Sequence, residues 1–128
     1  MQIEEIPEEQ ITLLRAAVGA LEDKKAEDLK VLYLGQKSSI TDYFILATGN
    51  SDPHLRALSN ALFRQLKDLQ VNLVGTDSEP GSGWTVVDAF DVMIHLFLPE
   101  QRLFYQLDDL WKDADALDPQ AFLTVKTT

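Results

Sequence analysis

The sequence predicts a single α/β domain, a mixed β-sheet of about five strands sandwiched by helices. The order of patterns along the chain is helix, two strands, helix, three strands, helix, with no internal repeat and no linker. The run Tyr43 to Thr48 is apolar without alternation, as expected of a strand covered on both faces. A chain of 128 residues, 45% hydrophobic, should bury roughly two-thirds of its unfolded surface, enough for one core without staples.

Each element has a local reason. Glu4 to Glu9 surround Pro7 with acids, and Ile11, Leu14, Val18 and Leu21 then recur at helical spacing. Acids in a first turn suit the positive end of the helix dipole. Leu29 to Leu34 is a short apolar strand closed by Gly35, and the polar stretch Gln36 to Asp42 separates it from the strand Tyr43–Thr48. Asp52 is placed to cap the next helix and Pro53 suits its first position. Leu55, Leu58, Leu62, Leu66 and Leu69 mark that helix's apolar face, with Arg56, Arg64, Lys67 and Asp68 on the wet one. Val71 to Val74 reads as a third strand and Thr76 to Gly83 as a Gly/Pro/Ser loop. Trp84–Ala89 and Val92–Leu98 flank the Phe90-Asp91 turn and predict an antiparallel hairpin. After Pro99, Leu103, Leu107 and Leu110 lead helically to Trp111. The pattern weakens from Lys112, so residues 1–111 are expected to form the domain and 112–128 an appended tail of no assigned role.

Charge and composition exclude several classes. There are 11 Lys and Arg against 21 Asp and Glu, a net charge of −10 spread over the whole chain. Such a chain is repelled by phosphate backbones and lacks a basic stripe, so little direct nucleic-acid binding is expected and a basic protein partner fits better. With no cysteine there are no disulfides, thiolate metal sites or Cys nucleophiles, and a reducing, cytoplasmic setting suits the chain. No apolar run approaches the roughly 20 residues that span a bilayer, and Met1–Gln10 is acidic, unlike a signal peptide.

The catalytic inventory is thin. His95 sits in an apolar strand and reads as a satisfied structural histidine, while His54, in a first helical turn, is expected to be exposed. His54 and His95 with Asp88 and Asp91 match no metal-ligand spacing, so neither metal nor cofactor is expected. Ser38 and Ser39 have no nucleophile elbow, and Gly81-Ser82-Gly83 is too short and wrongly placed to cradle phosphate before a helix. Trp84 stands apart, emerging from a Gly-rich loop at a strand edge where an aromatic ring with apolar neighbours has the composition of a protein-binding hot spot.

Several segments, taken in order, resemble the ribosomal silencing factor family, also called the Iojap family. They are Asp28-Leu29; Ser38-Ser39-Ile40-Thr41-Asp42-Tyr43-Phe44 running into Ala47-Thr48-Gly49-Asn50-Ser51; Gly83-Trp84-Thr85-Val86-Val87-Asp88; Asp91 to Phe97; and Arg102 to Trp111. The likeness extends from about Leu13 to Trp111. It implies a non-enzymatic translational repressor that binds the large ribosomal subunit through the basic L-fourteen ribosomal protein. Such a repressor blocks joining of the small subunit and lowers protein synthesis when nutrients are short. It also implies a nucleotidyltransferase-like fold, although the chain lacks that superfamily's Gly-Ser opening and Asp-x-Asp metal pair. The partner-binding surface is expected around Trp84, Thr85, Val86 and Val87, with Asp88 and Asp91 as acceptors for Lys or Arg. Ser38, Ser39, Thr41, Asp42, Tyr43, His95, Tyr105 and Trp111 belong to the family motifs without an assigned role. Pro53 stands where the family usually has Arg, Ala89-Phe90 replaces the usual Tyr-Gly or Leu-Gly, Asp108 stands where Glu is common, and Glu79 keeps the family's acid in a loop altered by Pro80.

Two rival readings remain: a large-subunit assembly factor without anti-association activity, and a metal-dependent nucleotidyltransferase-like enzyme using Asp88, Asp91 and His95. An exposed apolar strand surface also suits self-association into a homodimer.

Overall fold

Helical and strand periodicity divide the side chains between two faces of one sheet. The computed structural model describes residues 3–35, 41–71, 75–78, 82–89, 91–106, 109, 112 and 114–123. Helix α1 (Glu8–Asp23) buries Ile11, Leu14, Val18 and Leu21, as their spacing predicts, together with Leu13, Ala17 and Ala20. Helix α2 (Asp52–Asp68) buries Leu55, Leu58, Leu62 and Leu66, whereas Leu69 falls past its last turn and stays exposed. Its cap is Ser51, whose hydroxyl accepts from the His54 amide at 3.2 Å; Asp52, expected as the cap, is instead the first helical residue. Ser51 is extended (φ −162°, ψ 165°), the backbone state an N-cap needs.

The strands are β1 (Glu27–Tyr33), β2 (Tyr43–Thr48), β3 (Gly75–Ser78), β4 (Trp84–Ala89), β5 (Val92–Phe97) and β6 (Asp115–Leu117), in spatial order β3-β4-β5-β2-β1-β6. Only β2 and β5 pair in parallel; the other neighbours are antiparallel, so the sheet is mixed. Its central pair is formed by β5 and the fully buried β2. In the β4–β5 hairpin β4 has the predicted ends, whereas β5 stops at Phe97, one residue short, because Leu98 is the N-cap of the following helix. The third strand lies at Gly75–Ser78, inside the stretch expected as a loop, because pairing with β4 supplies hydrogen bonds that composition does not announce. Residues 72–74, where the strand was expected, lie outside those described.

Val31, Tyr43, Ile45, Ala47, Val87, Ala89, Val92, Ile94 and Leu96 meet α1 and α2 in the main core. On the opposite face Leu32, Leu34, Phe44, Leu46 and Phe97 form a second, smaller core. Helix α3 (Pro99–Tyr105) lies on that second face, held by Arg102. Arg102 is 7% exposed, and its Nη1 donates to the Asp28 carbonyl at 2.7 Å and to Thr48 Oγ1 at 2.8 Å. Asp28 offers that carbonyl from a positive φ of 49°, within a register shift of β1. Of the leucines expected at helical spacing after Pro99, Leu103 is 77% exposed; α3 ends at Tyr105, and Gln106 turns left-handed (φ 52°). Leu107, Asp108, Leu110 and Trp111 lie outside the described residues.

Residues 112–128, expected as an appended tail, contribute two elements to the packed structure. Strand β6 extends the sheet beyond β1, pairing Leu117 with Val31, and helix α4 (Pro119–Leu123) places Phe122, 3% exposed, in the main core beside α1. A three-residue strand carries too short a pattern to be read before its neighbour is known.

Candidate functional site

Register determines which hairpin side chains reach the surface. Trp84 pairs with Phe97, Val86 with His95 and Asp88 with Met93, so all six side chains share the second face. Trp84, Val86, Asp88 and Met93 are half-buried there, while Phe97 is fully covered. The alternate residues Thr85 and Val87 face the helices and are buried, which corrects the expectation that they form part of the partner-binding surface. Successive strand residues point to opposite faces, so a run of five cannot be one patch.

Asp91, at the hairpin turn, is exposed but directed elsewhere. Gln10 Nε2 of α1 donates to its carboxylate at 3.0 Å and to that of Asp42 at 3.1 Å, tying both acids to the first helix. The Asp91 carbonyl also accepts from the amides of Asp42 and Tyr43. The Asp91 carboxylate is thus turned to α1, while Asp88 and His95 share the second face. Among the described residues no three His, Asp or Glu side chains are grouped as metal ligands.

Trp84 is held from several sides. The Ser82 hydroxyl accepts from the Trp84 amide at 3.3 Å and donates to its carbonyl at 3.1 Å. Gly83 takes a φ of +75°, a backbone conformation that calls for glycine, and lies close to the end of the Gln101 side chain. The indole Nε1 donates to His95 Nδ1 at 3.2 Å, and the indole ring lies 5.3 Å from Phe97. Phe44 meets the imidazole edge to face at 4.8 Å. An aromatic side chain locked in this way loses little further freedom on binding.

His95 is 7% exposed, and burial pushes its pKa down to about 4, so it is neutral at pH 7. Because Nδ1 accepts from Trp84, the proton sits on Nε2, which is buried and has no hydrogen-bond partner among the described residues. The histidine is structural, as its strand setting suggests, but only half satisfied. His54, expected to be exposed, is half-buried: Nδ1 accepts from the Asn50 amide at 2.9 Å and Nε2 donates to the Lys24 carbonyl at 2.8 Å, joining α2 to the end of α1.

The remaining motif residues are framework where they are described. Tyr43 is fully buried with its ring 5.3 Å from that of Tyr33; burial first, then the neighbouring Tyr33, Asp42 and Asp91, pushes its pKa up to about 12. The Thr41 hydroxyl donates to the Tyr43 carbonyl at 3.2 Å. Tyr105 is the last residue of α3. Ser38, Ser39, Glu79, Pro80, Phe90 and Trp111 lie outside the described residues. Met93 and Gln10 were missed as contributors; the parity of β5 offers a signal for Met93, but nothing local announces Gln10.

With this geometry in place, comparison with known proteins decides the family. The family model described as "Ribosomal silencing factor during starvation" matches residues 7–128. The chain belongs to the ribosomal silencing factor family. It is 35% identical to Ribosomal silencing factor RsfS of Chromobacterium violaceum over 111 residues, covering 87% of this chain and 85% of that protein. A crystal structure of a Chromobacterium violaceum protein, 34% identical, superposes with a TM-score of 0.75 over 88% of each chain. Mouse "Mitochondrial assembly of ribosomal large subunit protein 1" is 34% identical, covering 73% of this chain and 42% of the mouse protein. The family match runs through β6 and α4, the elements that sequence patterns alone set apart.

Proposed function

We propose that this member of the ribosomal silencing factor family is a non-catalytic translational repressor. It binds the large ribosomal subunit through the basic L-fourteen ribosomal protein and blocks joining of the small subunit. The observation that carries the reading is the half-buried sheet face on which Trp84, pinned by His95 and backed by Phe97, lies with Val86, Met93 and the acid Asp88. A rigid Trp with apolar neighbours and an acidic flank fits a basic protein surface: the apolar centre supplies affinity, and opposite charge speeds the encounter and rejects wrong partners. Repression then requires only that one domain occupy the joining surface. A cytoplasmic location accords with this role; among the described residues no helix is long and apolar enough to cross a membrane.

The name of the mouse relative favours a second reading, assembly of the large subunit without anti-association activity. Sucrose gradients separate the two. Protein added to purified subunits should deplete the joined peak, and Trp84→Ala should stay folded by circular dichroism yet no longer co-sediment with large subunits. An undiminished joined peak would leave only the assembly reading, and unchanged co-sedimentation of the variant would remove Trp84 from the interface.

A further inference from the structure

On the side of the molecule away from Trp84, α1 and α2 leave an open groove of about 510 Å³ between them, a volume in the range of small-molecule clefts. Arg15 and Lys24 line it from α1 and its C-cap, and Arg64 from α2, against the single carboxylate of Asp23. Among the described residues none of these three cationic side chains has an ion-pair or hydrogen-bond partner, and Arg15 Nε is buried without one. Three unpaired cations around one cavity are out of keeping with a chain of net charge −10.

The floor of the groove carries a second peculiarity. Gly19 lies within α1, where glycine is the least favourable residue after proline, and a Cβ built on it would meet nothing within 4 Å. Packing inside the chain therefore gives no reason for a glycine, while its absent side chain leaves the groove deeper between the two arginines.

We infer that the α1–α2 groove binds a phosphoryl group carried by a small molecule, clasped between the Arg15 and Arg64 guanidinium groups with Lys24 completing the charge. Guanidinium forks match phosphate oxygens in bidentate fashion, and three cations against one carboxylate suit a dianion better than a single carboxylate. A compact ligand fits better than an RNA backbone, which needs a basic stripe to release counterions; here Asp23 lies in the groove and Asp68 is exposed farther along α2.

The test uses the full chain, titrated with sodium pyrophosphate and, separately, inorganic phosphate at constant ionic strength, followed by calorimetry and by the Gly19 amide resonance. Saturable binding is expected, weakened about tenfold or more by Arg64→Gln, which alters an exposed side chain. Gly19→Glu should abolish binding by placing a carboxylate in open space, with thermal stability retained. Non-saturable shifts, or binding that survives both substitutions, would overturn the assignment. So would a single-stranded RNA oligomer that displaces pyrophosphate through contacts beyond the groove.

Discussion

His95→Phe should flatten the acid limb of the stability curve. Unfolded, the imidazole titrates near 6.5; folded, burial among Phe44, Phe97 and Trp84 pushes it down to about 4. Above pH 6.5 both states are neutral and the group makes no pH-dependent difference. Between pH 6.5 and about 4 the unfolded chain takes up a proton that the folded chain refuses, so stability is lost as pH falls, at about 1.4 kcal/mol per pH unit and roughly 3 kcal/mol in all. Phenylalanine removes the titration. At pH 7 it also removes the Trp84 hydrogen bond, at a cost of about 1 kcal/mol, but relieves the buried unpaired Nε2–H, worth about 1–3 kcal/mol, so the neutral-pH stability should hold or rise. Urea unfolding of both proteins at pH 7.0, 5.5 and 4.5 measures the difference. If wild type and variant lose the same stability between pH 7.0 and 4.5, to within about 1 kcal/mol, desolvation of His95 is not what the packing implies.

Three further outcomes follow from particular contacts. Phe122→Ala should destabilise by about 3–5 kcal/mol in denaturant unfolding, as for a core aromatic; a loss below 1 kcal/mol would return α4 to the status of a loose appendage. Ser51→Ala should cost about 1 kcal/mol and Asp52→Ala, which removes only a charge near the helix start, roughly half that; the reverse order would restore Asp52 as the cap. Arg102→Met should cost about 2–4 kcal/mol, because the Asp28 carbonyl and Thr48 hydroxyl lose the buried donor between them, and calorimetric melting would show it.

Elements whose residues state their own period were legible in the sequence. β2, β4 and the starts of α1 and α2 fall close to where apolar runs and turn residues place them, because local pattern and tertiary packing agree there. Elements made by a neighbour were not. Asp115-Ala116-Leu117 is a strand because β1 offers a free edge, and Gly75–Ser78 because β4 does. The candidate site divides in the same way. Trp84 and Asp88 could be chosen from composition, and period-two alternation already contains the information that Thr85 and Val87 point inward; reading the strand as one surface overlooked it. The bond from Trp84 to His95 depends on hairpin register, and Gln10 reaching Asp91 depends on where α1 crosses the sheet, so neither has a signature along the chain.

Net charge misleads when it is used as a local property. The value of −10 argues well against a nucleic-acid backbone, which averages over the whole surface, but fields at ordinary ionic strength decay within about 8 Å. A groove lined by Arg15, Lys24 and Arg64 therefore has its own potential, set by those three cations and Asp23. The same reasoning limits what the acids do on the other side: Asp88 shares a face with Trp84 but stands four residues along β4, roughly 13 Å away, and Asp91 is bound to Gln10, so negative charge acts there mainly on approach. Because a six-stranded sheet stands between the two regions, a ligand in the groove and a protein on the Trp84 face do not compete for space. Any effect of one on the other must travel through the packing of α1 and α2 on the sheet, where Ala61 and Ala20 are buried in the main core and also border the groove.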